Sequence, residues 1–76
     1  MNINLNRLSR FVAVYRHKSF SRAASELGMT HSALTKSVQL LEQELGAELF
    51  NRTTRSVVPT DAGNRLAHRA EELLAL

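Results

Sequence analysis

The sequence predicts a mainly α-helical domain: three helices around one core, a small two-stranded hairpin, and a fourth helix at the C-terminal end. Three observations lead there. Apolar residues recur at three- and four-residue steps in four separate stretches, as amphipathic helices require. Gly28 and Gly46 each follow such a stretch directly, where a helix end favours a residue free to adopt the left-handed conformation. Between Gly46 and Pro59 the pattern shortens to two β-compatible runs. A chain of 76 residues forms one small domain and buries only roughly 60% of the surface its unfolded form exposes. With no Cys to form a disulfide or a thiolate metal site, stabilisation falls to the core or to a second copy of the chain.

The first helix carries Leu5, Leu8, Phe11, Val12 and Tyr15 on one stripe, with Arg7, Arg10 and Arg16 between them. It stops near His17-Lys18, basic residues suited to a helix C-terminus. Ser21 then caps a short second helix whose apolar positions are Ala23, Ala24 and Leu27, closed by Gly28. Thr30 caps a third, with Leu34, Val38, Leu41 and Leu45 at steps of four, three and four, closed by Gly46. Residues 47–50 and 55–59 form the hairpin, and Pro59 ends it. Thr60 caps the last helix, whose stripe is Ala62, Leu66, Ala70, Leu73 and Leu74 and whose first turn is weakened by Gly63.

The link between the second and third helices is only Gly28-Met29-Thr30. So short a link forces a sharp turn, and the small Ala23 and Ala24 let the two helices cross closely over a shared core. That is a helix-turn-helix. The residues that build it also resemble a known family: Leu8-x-x-Phe11 with Val12 and Val14, then Ser19-Phe20-Ser21-Arg22-Ala23-Ala24-x-x-Leu27, look like the opening of LysR-type transcription regulators. Ser32-Ala33-Leu34-Thr35-Lys36 stands where that family has its recognition segment. Leu41-Glu42-x-Glu44-Leu45-Gly46-x-x-Leu49-Phe50-x-Arg52 resembles the end of that helix and the start of the wing, and Thr60-x-Ala62-Gly63 the start of the linker helix. The family commonly has Gln-Pro where this chain has His31-Ser32, and Ser followed by Arg or Gln where it has Thr35-Lys36, so the resemblance does not carry over the DNA sequence that is read.

The resemblance implies a winged helix-turn-helix over residues 1–59 and the start of a linker and dimerisation helix over 60–76. It also implies a larger C-terminal domain, beyond this fragment, that senses a small-molecule effector. In a helix-turn-helix the second helix lies in the major groove with its N-terminal residues at the base edges; here these are His31, Ser32, Thr35 and Lys36. Lys36 can donate to guanine O6 or N7, His31 can donate or accept, Ser32 is permissive, and the Thr35 methyl can meet a thymine methyl. Ser21 and Arg22, at the start of the preceding helix, and Thr30, at a helix N-terminus, are candidates for phosphate; capping alone is the other role open to Thr30. Arg52 and Arg55 flank the wing tip, where a guanidinium can enter an A·T-narrowed minor groove; Arg52 could instead pair with Glu48 or Glu44. Leu66, Ala70, Leu73 and Leu74 are the candidates for a homodimer contact, alongside packing of Ala62 and Leu66 on Phe11 or Leu8, and a dimer would read an inverted repeat.

Charge agrees in part. Residues 1–36 carry Arg7, Arg10, Arg16, Lys18, Arg22 and Lys36 against Glu26 alone, net +5, while residues 37–50 carry Glu42, Glu44 and Glu48, net −3. Clustered basic surface suits a polyanion, though a solvated helical face reads the same way. An enzyme is disfavoured: His17, His31 and His68 are scattered over three helices, and no nucleophile, paired-carboxylate or Gly-rich phosphate constellation occurs. No metal or cofactor is implied, no apolar run suggests a membrane, and the absence of Cys and of an export signal fits the cytoplasm. The rival is a winged helix that binds protein rather than DNA; it should show apolar anchors where this chain has polar and basic residues.

Overall fold

The computed structural model describes residues 4–51 and 56–75. Four helices follow in order: α1 (Leu5–His17), α2 (Phe20–Leu27), α3 (His31–Leu45) and α4 (Asp61–Leu74). α1 is central and packs against the other three, while α2 crosses α3. The core joins Leu8, Phe11, Val12 and Val14 of α1 to Ala23 and Ala24 of α2, Leu34, Val38 and Leu41 of α3, Leu49 and Phe50, and Ala67 and Ala70 of α4. The expected stripe of α1 begins one turn late, since Leu5 remains 63% exposed.

Most helix ends fall where the sequence places them. Gly28 and Gly46 adopt left-handed φ of 67° and 68°. Each turn returns two amide bonds to its helix: Met29 N to Ala24 O and Gly28 N to Ser25 O after α2, Ala47 N to Glu42 O and Gly46 N to Gln43 O after α3. α1 ends on Lys18, a non-glycine at φ 53°, whose Nζ lies 4.2 Å from the centroid of the Tyr15 ring. That cation–π contact offsets part of the cost of a left-handed side chain. Thr30 and Thr60 cap α3 and α4 as expected, accepting from Ala33 N and Gly63 N. Asn4, which the apolar pattern does not mark, caps α1 by accepting from Asn6 N and Arg7 N.

The cap of α2 is a correction. Ser19 holds the extended cap conformation and accepts from Arg22 N at 3.1 Å, while Ser21 lies inside the first turn, exposed. The helix starts two residues earlier than expected because Phe20 packs inward and is its first residue. Ser19→Ala is expected to cost about 1 kcal/mol in a urea melt, and Ser21→Ala less than about 0.5 kcal/mol; equal losses would contradict this assignment.

The hairpin is seen at its base. Asn51 N donates to Val58 O at 2.7 Å and Thr60 N to Leu49 O at 3.0 Å, around an antiparallel bridge between Phe50 and Pro59. Pro59 thus stands at the position that owes no N–H to the ladder, which is why a proline is tolerated there. Glu42, on α3 and buried, ties this base to the helices: its Oε2 accepts from Leu49 N at 2.7 Å and from Phe50 N at 3.4 Å.

α4 packs mainly through its small residues, with Ala62 and Leu66 partly buried against the core beside them. Gly63, Ala67 and Ala70 are buried, while Leu66 is half-buried and Leu73 and Leu74 are 57% and 41% exposed. Small residues at steps of four and three let α4 approach closely, and Gly63 sits where a Cβ would lie 2.1 Å from the Leu49 carbonyl oxygen. Gly63 therefore does more than weaken a turn: its missing side chain is the space into which the hairpin base fits. Tyr15 OH donates to Asn64 Oδ1 at 2.8 Å and links α1 to α4 from the side.

Candidate nucleic-acid interface

The first turns of α3 separate two faces. Leu34, Ser37, Val38 and Leu41 point into the core, so His31, Ser32, Thr35 and Lys36, at steps of one, three and one, share the opposite face. His31, Ser32 and Lys36 are exposed and Thr35 is half-buried. All four sequence candidates for base contact are thus brought together at the N-terminal end of one helix, beyond the Thr30 cap. Thr30 spends its side chain on Ala33 N, and its capping role is the one visible here.

The start of α2 lies against this end of α3. Phe20 brings its ring to 5.7 Å from that of His31, and Ser21 and Arg22 follow it on the exposed first turn. A shallow cleft between the two helix starts and the returning arm of the hairpin is lined by Lys18, Ser19, Phe20, Ser21, His31, Ser56 and Val57. Lys18 and Phe20 are additions to the sequence candidates. The signal for Lys18 was its position after a helix end and before a capping serine; for Phe20 there was none, since an aromatic at a junction reads as core. Arg52 and Arg55 lie outside the described residues.

Charge is distributed differently in space than along the chain. Arg7 pairs with Glu44 at 2.7 Å, Arg16 with Glu71 at 3.7 Å, and Arg10 donates to Ser37 Oγ at 3.3 Å. The arginines of α1 are therefore engaged with α3 and α4. His17 and Glu26 form a further pair. Arg22, in the first turn of α2, and Lys36, on α3, are exposed and have no ion-pair partner among the described residues. Exposed cations left unpaired in this way suit contact with a polyanion.

The dimerisation candidates divide. Ala70 is fully buried in its own chain, so its side chain belongs to the core; Leu66, Leu73 and Leu74 keep apolar surface outside it. Among the described residues no helix is long and apolar enough to cross a membrane, and no group of three potential ligands could hold a metal ion.

The sequence profile of bacterial regulatory helix-turn-helix proteins of the lysR family matches residues 5–64. The chain is 51% identical over 74 residues to the HTH-type transcriptional regulator YfeR of Shigella flexneri, which covers 97% of this chain and 24% of that protein. Its fold superposes on the DNA-binding domain of BenM, solved with benA site 1 DNA, at a TM-score of 0.92, with 37% identity over 96% of this chain and 82% of that one. It matches DarR of Vibrio fischeri, solved in complex with DNA, at a TM-score of 0.91, with 31% identity over 99% of this chain and 26% of that one. The chain spans about a quarter of the length of curated relatives such as YfeR.

Proposed function

The chain belongs to the lysR family of bacterial regulatory helix-turn-helix proteins, and from that membership we propose that it binds double-stranded DNA sequence-specifically as the reading head of a transcription regulator. The observation that carries the proposal is the polar face of α3: His31, Ser32, Thr35 and Lys36 project together at the end of the helix that a helix-turn-helix lays in the major groove. The likeness to two domains solved on DNA supports it. Lys36 and His31 have the donors to read base edges; Ser21, Arg22 and the N-terminus of α3 at Thr30 position the phosphate backbone. Arg52 and Arg55 are assigned to the minor groove beside the wing.

Residues 1–59 are the reading unit and residues 60–76 begin a linker helix that joins two subunits, with Leu66, Leu73 and Leu74 supplying the apolar contact. A two-fold pair of recognition helices spaced about one DNA turn calls for an inverted-repeat operator. Effector sensing belongs to a further domain of the whole protein, and the site of action is the bacterial cytoplasm.

Selection of this chain against a randomised duplex pool over a series of salt concentrations tests the reading. An inverted repeat should be enriched. Lys36→Ala should relax the preference at one base pair of each half-site, at a cost of about 1–3 kcal/mol. A pool left unenriched, with wild type and variant sharing one steep salt slope, would show a cationic surface without sequence reading and would sink the proposal.

A further inference from the structure

The His31 ring makes two contacts within its own chain. The Phe20 ring lies 5.7 Å away, inclined at 44°. Phe20 is not loose: it packs edge-on against Phe50 at 5.8 Å, and Phe50 packs on Phe11 at 5.4 Å in the middle of the core. A run of rings thus leads from the core to the head of α3 and ends on an exposed histidine. One helical turn along, Thr35 Oγ1 lies 3.5 Å from His31 Nδ1. That leaves Nε2, which has no hydrogen-bond partner among the described residues. A ring fixed in advance loses less conformational freedom on binding than a free one, and it presents its nitrogen in one place rather than several.

From this geometry we infer that Phe20 is a positioning residue for base reading: its ring, together with the Thr35 hydroxyl, holds His31 so that Nε2 meets one base edge in the major groove. The inference rests on the DNA-binding reading above. It adds a specificity determinant on α2 that acts through His31.

The test compares affinities for the duplex selected by the wild-type chain and for its single-base variants. His31→Ala should lower discrimination about tenfold at one base-pair position of each half-site. Phe20→Leu should lose most of the same discrimination at the same position, with the salt slope unchanged. Placed in the His31→Ala background, Phe20→Leu should remove no further selectivity, although its effect on thermal stability persists. Thr35→Val keeps the methyl and removes the hydroxyl, stands outside the core, and should follow the same pattern; it serves if Phe20→Leu does not fold. Undiminished selectivity at the His31 position in either folded variant overturns the positioning role and leaves DNA reading intact. A wild-type chain that selects no sequence overturns the reading on which the inference stands.

Discussion

Gly63→Ala is expected to destabilise the domain by about 2–3 kcal/mol, although the same change in an open helix stabilises by up to about 1 kcal/mol. Both effects are present, and geometry decides which wins. An alanine Cβ would stand 2.1 Å from the Leu49 carbonyl oxygen and 3.1 Å from its carbon. Those are backbone atoms, so no side-chain rotation relieves the overlap. Nor is Leu49 free to retreat, because its carbonyl accepts from Thr60 N at 3.0 Å and its amide donates to Glu42 at 2.7 Å. Either α4 moves out, losing contact at Ala67 and Ala70, or the hairpin base opens. Urea denaturation of the two proteins measures the difference, and a variant as stable as the wild type or more so would show that α4 and Leu49 are not in this contact.

Glu42→Ala should cost about 3 kcal/mol, and Glu42→Gln about 1 kcal/mol. The carboxylate is buried and accepts the amides of both Leu49 and Phe50. Hydrogen bonds to a charged acceptor contribute about 1.5–3 kcal/mol, and a buried amide left without a partner carries its own desolvation cost. Glutamine retains one acceptor oxygen, so the two variants should differ. Hydrogen exchange gives the local reading: the amides of Leu49 and Phe50 should lose protection in the alanine variant before the amides of α1 do. Uniform loss across all four helices would mean that Glu42 stabilises the whole domain rather than the junction of hairpin and helix.

These two positions mark where reading the sequence stopped. Gly63 looked like a weakness in a helix and Glu42 like one charge in an acidic stretch. A close backbone approach and a buried carboxylate leave no trace in periodicity, since each depends on a segment several residues away. The α4 stripe divides, with Ala62 and Leu66 packed partly on the core, Ala70 buried in it and Leu73 and Leu74 outside, for a related reason. Large apolar residues dominate a sequence pattern, but the helix packs through its smallest ones, Gly63, Ala67 and Ala70, because closeness rather than side-chain volume closes this core. The two-residue shift of the α2 cap from Ser21 to Ser19 follows from Phe20, whose inward packing sets the start of the helix.

What this sequence determined by itself is local and periodic. Amphipathic spacing named four helices, Gly28 and Gly46 ended two of them, Thr30 and Thr60 began two, and the three-residue link between α2 and α3 forced the crossing that puts His31, Ser32, Thr35 and Lys36 on one exposed face. Each of these depends on neighbours within one or two turns, which a linear reading contains. Only the tertiary structure decided which basic residues remain unpaired, since the partners of Arg7 and Arg16 lie 37 and 55 positions away on α3 and α4. It alone set Phe20 against His31, and it alone assigned Ala70 to the core while leaving Leu73 and Leu74 outside. Charge neutralisation, ring contacts and burial are properties of surfaces that meet in space, and no spacing along the chain encodes which surfaces those are.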